Sequence, residues 1–125
     1  MKKVNKILII DDDLIFLRIA GFQLQKKLEE QVVEVHTAAT LGEIEEKMEN
    51  IYDMIFIDLN MPEISGWEVI ERYKESLKSP NCTAFICSSS IDPKDHKRAE
   101  DMKDIIEKMI SKPIDIDLVK SYLNS

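Results

Sequence analysis

Met54-Ile55-Phe56-Ile57-Asp58-Leu59-Asn60-Met61-Pro62 carries three apolar side chains, Ile55 to Ile57, straight into a carboxylate, with a proline shortly after. A short unbroken apolar run bounded by turn formers reads as a strand buried on both faces, as in a parallel sheet. Asp58 then falls where the strand stops, and open α/β sheets gather their ligands at the carboxyl ends of strands. Taken alone, such an aspartate is an ordinary turn former or helix cap. Its meaning depends on which other residues reach the same edge.

Outward from this stretch, strands and helices alternate. Lys6 to Ile10 reads as a short buried strand that ends at Asp11-Asp12-Asp13. Leu14 to about Glu30 reads as a helix. On a wheel of ~100° per residue, Phe16, Leu17, Ala20, Leu24 and Leu28 share one face, and Ile15, Ile19 and Phe22 form a second stripe opposite. Val32 to Thr37 reads as a strand. Thr40 is an N-cap with Glu43 placed for a capping box, opening a helix to about Asn50. Asp53 to Ile57 is the third strand. Ser65 caps a helix carrying Trp67, Val69, Ile70 and Tyr73, and Ser79-Pro80-Asn81 is a turn. Thr83 to Cys87 is a fourth strand leading into Ser88-Ser89-Ser90. Asp92, with Pro93 at the first helical position, opens a polar helix to about Met102. Ile105 to Ile110 reads as a fifth strand ended by Lys112-Pro113, and Asp115 opens a last helix through Leu118, Val119, Tyr122 and Leu123.

Five strands and five helices in alternation predict an α/β fold: a doubly wound parallel sheet with helices on both faces and right-handed crossovers. Every strand exit then lies on one edge, which collects Asp11 to Asp13, Asp58, Ser88 to Ser90 and Lys112. Each of these alone has a plain structural use as a cap, a turn or a strand exit. Together they do not, because clustered carboxylates at Asp11, Asp12 and Asp58 repel unless something neutralises them. A hard divalent cation with oxygen ligands does so, and Mg2+ takes a few carboxylates while keeping several waters.

The totals agree with one domain. The chain has 125 residues, 44% hydrophobic and 33% charged, which is ordinary globular composition. A net charge of −7 disfavours bulk-charge binding to nucleic acid or to an anionic membrane. Cys82 and Cys87 are too few for a disulfide framework and make a poor zinc site, and Cys87 reads as a small core residue. The apolar stretch after the basic N-terminus spans only Ile7 to Ile10, too short for a signal peptide or a membrane span. A cytoplasmic, reduced protein is expected.

Asp11-Asp12, Asp58 with Met61-Pro62 and Gly66, Ser88, and Lys112-Pro113 resemble, in order and strand context, the receiver domain of two-component response regulators. The resemblance runs from about Lys6 to Leu123. It implies a flavodoxin-like sheet of order 2-1-3-4-5. It further implies that Asp58 is a phosphoacceptor forming an acyl phosphate. By the same resemblance Asp11, Asp12, Asp58 and the backbone carbonyl of Asn60 hold Mg2+, Lys112 and Ser88 contact the phosphoryl group, and the Lys112-Pro113 bond is cis. The implied partners are a sensor histidine kinase or phosphotransfer protein and a downstream protein target, with no nucleic acid and no membrane. The implied role is a switch rather than an enzyme, with at most slow self-catalysed phosphorylation and dephosphorylation.

Several residues lie outside the family pattern. Met109 stands where the family has Tyr or Phe three residues before the lysine. Asp101-Met102-Lys103-Asp104 lacks the usual Gly-Ala, and the Ser88 to Lys112 spacing is longer than common. Asp13 reads as a helix cap, and Asn60 and Ser90 leave room for water near the site. His36 and His96 read as solvent-facing, and Trp67 as partial cover for the core. The Ile15-Ile19-Phe22 stripe has two readings: cover by the last helix through Leu118 or Tyr122, or a docking patch for a kinase or phosphotransfer domain. The chain ends at Ser125, just after the last predicted helix, so a stand-alone receiver spanning residues 1–125 is expected. Two rivals differ in class. A phosphatase of the haloacid dehalogenase type would use Asp11-x-Asp13, but Leu14 and Ile15 stand where it has Gly and Thr. A degenerate receiver acting as a constitutive binding module has only Met109 in its favour.

Overall fold

Every residue of β3 (Met54–Ile57) is buried, as an apolar run flanked by two helix layers requires. The computed structural model describes residues 4–28, 32–90 and 92–123. The other strands are β1 (Val4–Ile10), β2 (Val32–Ala38), β4 (Thr83–Ser88) and β5 (Lys108–Ser111). They alternate with α1 (Leu14–Lys27), α2 (Leu41–Lys47), α3 (Gly66–Arg72), α4 (Lys74–Leu77), α5 (Pro93–Asp101) and α6 (Ile116–Leu123). All strand pairs are parallel, in the order β2-β1-β3-β4-β5. None of the described helices is long and apolar enough to cross a membrane.

Alternation within the central strands builds two cores. Leu8, Ile10, Ile55, Ile57 and Ile86 point to one face, against Ile44, Val69, Ile70 and Ile106. Ile7, Ile9, Phe56, Phe85 and Cys87 point to the other, against Leu17, Leu24 and Val119. Successive strand residues face opposite ways, so a strand between two helix layers must be apolar at every position. On the second face Phe56 and Phe85 stack at 5.3 Å, and Tyr122 meets Phe85 edge-on at 5.1 Å. Burial pushes the Cys82 thiol up to about 11 and the Cys87 thiol up to about 12, so both stay protonated near neutrality.

The caps follow the predicted chemistry, with one difference. Asp13 accepts from the Ile15 and Phe16 N–H groups, Asp92 from Lys94, and Asp115 from Asp117. Ser65 and Glu68 form a complete capping box. At Thr40 the box is half made: Thr40 Oγ1 accepts from the Glu43 N–H, but the Glu43 carboxylate accepts from Ala39 instead.

Several predicted boundaries shift. The segment after Ser65 forms two helices, breaking at Tyr73, so the described residues hold six helices rather than five. α1 is capped by Leu28, and the predicted end near Glu30 lies outside the described residues. α2 ends at Lys47 and the residues to Asn50 form a turn. β5 begins at Lys108, not Ile105. The Ile105 and Ile106 N–H groups bond back to Met102 O at 2.9 and 2.8 Å, so this apolar pair plugs the core from a turn. Apolar content alone does not separate a buried turn from a buried strand.

His36 also differs from expectation. It is partly buried at the sheet edge, with Nδ1 2.9 Å from the Tyr52 hydroxyl and Nε2 2.8 Å from Glu34. His96 is exposed, as predicted.

Gly66 is where the fold tolerates no side chain. A Cβ there would lie 2.3 Å from Asp58 O and 2.8 Å from Leu59 Cα, both backbone atoms. Gly42, in α2, has nothing within 4 Å of the same position. Gly66→Ala is expected to destabilise the protein by about 2–3 kcal/mol through overpacking. Gly42→Ala is expected to stabilise it by about 0.5 kcal/mol through helix propensity. Urea unfolding of the two variants checks both signs.

Candidate functional site

β1 and β3 are neighbours and end in register, Ile10 opposite Ile57. The next residues, Asp11 and Asp58, therefore lie side by side. Their backbones are tied into the sheet edge: Asp11 N–H donates to Ala38 O at 3.0 Å and Asp58 N–H to Ile10 O at 2.9 Å. Asp11 and Asp58 are buried and Asp12 is exposed. One carboxylate oxygen from each of the three lies within 4.8 Å of the others.

Lys112 reaches this cluster from the end of β5. Its Nζ is 2.6 Å from Asp11 Oδ2 and 3.6 Å from Asp58 Oδ1. The Lys112-Pro113 peptide is cis, as the resemblance implied. Ser88, at the end of β4, is buried, and its Oγ accepts from the Ser90 N–H at 3.2 Å. The Ser88 carbonyl accepts from the Lys112 N–H at 3.3 Å, coupling those two strand ends. The edge thus brings Asp11, Asp12, Asp58, Ser88 and Lys112 together, and Asn60 follows in the exposed loop after β3.

The electrostatics are unbalanced. Burial, then the neighbouring Asp11 charge, pushes the Asp58 carboxyl up to about 6; Lys112 opposes this, Asp12 adds to it, and an Asn60 backbone hydrogen bond opposes it. Burial works against the Lys112 ammonium, but the hydrogen bond and charge of Asp11 and the charge of Asp58 carry its pKa above the ordinary lysine value. Asp11 Oδ1 accepts from the Asp13 N–H at 2.9 Å, and buried Oδ2 pairs with the Lys112 ammonium at 2.6 Å. Three clustered carboxylates against one ammonium suit a hard divalent cation.

Other candidate residues settle elsewhere. Trp67 is half-buried on the core, with the Arg98 guanidinium 4.5 Å over its ring. Met109, in β5, is half-buried and lines with α5 residues a cavity of about 250 Å³. Ser90 Oγ donates to Asp95 at 2.6 Å, a tie that local sequence did not reveal. The Ile15-Ile19-Phe22 stripe stays uncovered, with exposures of 72%, 53% and 64%. α6 does not cover it, because Leu118 and Tyr122 pack into the core instead. Between α1 and α6 runs a groove of about 1150 Å³ lined by Arg18, Ile19, Phe22, Lys26, Ile116 and Lys120.

A carboxyl whose pKa is raised on folding binds protons more tightly in the folded state. Its ionised form therefore costs stability above the folded pKa, and that cost fades as pH falls through about 6 toward the unfolded value near 4. Asp58→Asn is expected to stabilise the metal-free protein by on the order of 1–2 kcal/mol at pH 7.5, allowing for solvent screening. The gain is expected to shrink toward zero at pH 4. Urea unfolding in chelator at both pH values measures it; a gain that grows on acidification contradicts the assigned charge.

Comparison with known proteins agrees with this geometry. Residues 7–124 match the response regulator receiver domain family. The hybrid signal transduction histidine kinase L of Dictyostelium discoideum is 27% identical over 126 residues, covering 97% of this chain and 7% of that protein. The transcriptional regulatory protein SrrA of Staphylococcus aureus is 36% identical over 77 residues, 61% of this chain and 30% of SrrA. The chain thus spans less than a third of either of these curated relatives. A two-component response regulator from Cytophaga hutchinsonii superposes with a TM-score of 0.81 at 27% identity, covering 98% of this chain and 96% of that one. With the family match spanning nearly the whole sequence on a five-stranded parallel sheet of order 2-1-3-4-5, this chain belongs to the response regulator receiver domain family.

Proposed function

We propose that this receiver is a phosphoaspartate switch in which Asp58 accepts a phosphoryl group from a histidine kinase or phosphotransfer protein. The observation that carries this is the meeting of Asp58, Asp11 and Lys112 at the ends of β3, β1 and β5, with Lys112 Nζ 3.6 Å from Asp58 Oδ1. Receiver domains act as signalling switches rather than as dedicated enzymes. In the proposed reaction an Asp58 carboxylate oxygen attacks phosphorus in line. The bond from phosphorus to the donor breaks, the donor keeps the electron pair, and an acyl phosphate remains on Asp58. Asp11, Asp12, Asp58 and the Asn60 carbonyl would hold Mg2+. When bound, the cation offsets negative charge on the phosphoryl oxygens. Lys112 contributes a point charge to those oxygens. The Ser88 hydroxyl donates to the phosphoryl group. Asp11 is less suited to the nucleophile of a phosphatase, since one of its oxygens accepts from Asp13 N–H and the other faces Lys112.

The exposed Ile15-Ile19-Phe22 stripe beside the α1–α6 groove supports docking of the phosphoryl donor there, through an apolar centre with Arg18, Lys26 and Lys120 at its rim. Cytoplasmic placement and an output by protein contact belong to the same proposal. Met109, in place of the usual aromatic, leaves the propagation of the signal through β5 to a flexible thioether.

Incubation with acetyl phosphate and Mg2+ is expected to add one phosphoryl mass to the wild type and none to Asp58→Asn. Label recovered on Asp11, or wild type unmodified where another receiver is labelled, would overturn the assignment. Phe22→Asp is expected to slow transfer from the cognate kinase at least tenfold while leaving acetyl phosphate labelling within twofold. Equal loss in both assays removes the docking role.

A further inference from the structure

Lys112 has a third neighbour that no part of the reaction above uses. Its Nζ lies 4.6 Å from the centroid of the Phe16 ring, while sitting 2.6 Å from Asp11 and 3.6 Å from Asp58. An ammonium at that distance from an aromatic face is attracted by the negative face of the ring. The Lys112 side chain is only 19% exposed, so water screens this attraction weakly.

Phe16 is held in place by its own segment. Asp13 accepts from the Phe16 N–H at 3.1 Å and from the Ile15 N–H at 3.0 Å, fixing the first turn of α1. Leu14 and Ile15 in the same turn are exposed, whereas Phe16 turns inward onto the core that contains Leu17, Ile114 and Val119. Packing there needs only an apolar body, which Leu or Met would supply. An aromatic ring adds a face for the cation.

The three neighbours of the ammonium do not last equally through the proposed cycle. A divalent cation on Asp11, Asp12 and Asp58 competes with Lys112 for the same carboxylate oxygens. Phosphorylation then converts the Asp58 carboxylate to an acyl phosphate, a mixed anhydride that no longer carries the carboxylate charge. The ring of Phe16 is changed by neither event.

We propose that Phe16 is a positioning residue for Lys112, its ring face seating the ammonium over the site while Asp11 and Asp58 are engaged by cation and phosphoryl group. This rests on the phosphoacceptor reading of Asp58 given above. Without the ring, the long lysine stem regains rotamer freedom and the compact ammonium regains water, and both must be given up again when phosphoryl oxygens arrive.

The test is a double-mutant cycle read by binding of beryllofluoride in saturating Mg2+, a phosphoryl mimic that needs no donor enzyme. Phe16→Leu is expected to weaken beryllofluoride binding roughly three- to tenfold and to leave Mg2+ affinity within about twofold. Phe16→Tyr, which keeps the ring face, should stay within about twofold of wild type. In a Lys112→Met background, Phe16→Leu should have no further effect, because the cation it serves is gone. Phe16→Met repeats the series with a second apolar shape, and thermal unfolding of each variant checks its fold. Unchanged beryllofluoride binding in Phe16→Leu and Phe16→Met overturns the proposal, as does an equal loss with and without Lys112, which marks plain packing. Wild type that neither binds beryllofluoride nor labels on Asp58 fails the underlying phosphoacceptor reading, an outcome distinct from labelled wild type with indifferent Phe16 variants.

Discussion

Two carboxylates, Asp11 and Asp58, are buried side by side against the single ammonium of Lys112. Removing a charge from water costs several kcal/mol even after relaxation, and only a close opposite charge offsets it. Lys112 lies within 4 Å of both Asp11 and Asp58 and balances one of them. The remainder appears as the raised proton affinity of Asp58. A cation or a proton relieves the strain, and so the same imbalance that costs stability prepares the site to take up charge.

Such a cluster stays together only on a stiff support. The registered ends of β1 and β3 place Asp11 and Asp58 through backbone hydrogen bonds rather than through side-chain packing. Close approach of Gly66 to the Asp58 and Leu59 backbone locks the loop behind β3. Beneath them, the two-sided burial of β1, β3 and β4 supplies the apolar stabilisation against which the electrostatic cost is set. Lys112 crosses from β5 and is bounded on its third side by the α1 ring of Phe16. The site is therefore a product of four strand ends, those of β1, β3, β4 and β5, and one helix turn.

Much of this was legible before any coordinates. The apolar runs at Ile7 to Ile10, Ile55 to Ile57 and Ala84 to Cys87 could be buried on both faces only in a parallel sheet, and that placed their terminal residues on one edge. Caps at Asp13, Ser65, Asp92 and Asp115 were readable because they depend on residues within three positions of each other. Readings failed where spacing allows more than one partner or conformation. Ile105-Ile106 looked like a strand because burial was inferred without the turn that delivers it. His36 looked solvent-facing because Tyr52, its partner across the sheet edge, is remote in sequence. Glu43 was given a local partner at Thr40 and takes Ala39 instead, a shift of one residue that spacing rules do not resolve.

The alternation of elements, the two-faced core and the list of charged residues at strand exits are readable from the residues alone, since these follow from periodicity and local hydrogen-bonding chemistry. Which of those charges touch is set by the packed fold. That Lys112 stands nearer Asp11 than Asp58, that Phe16 closes the lysine's third side, and that α6 leaves the Ile15-Ile19-Phe22 stripe in water are all set by how helices seat on a twisted sheet. Those relations join residues from about fifty to about a hundred positions apart. No local rule encodes them, because they are fixed by the packing of whole elements rather than by the residues that meet.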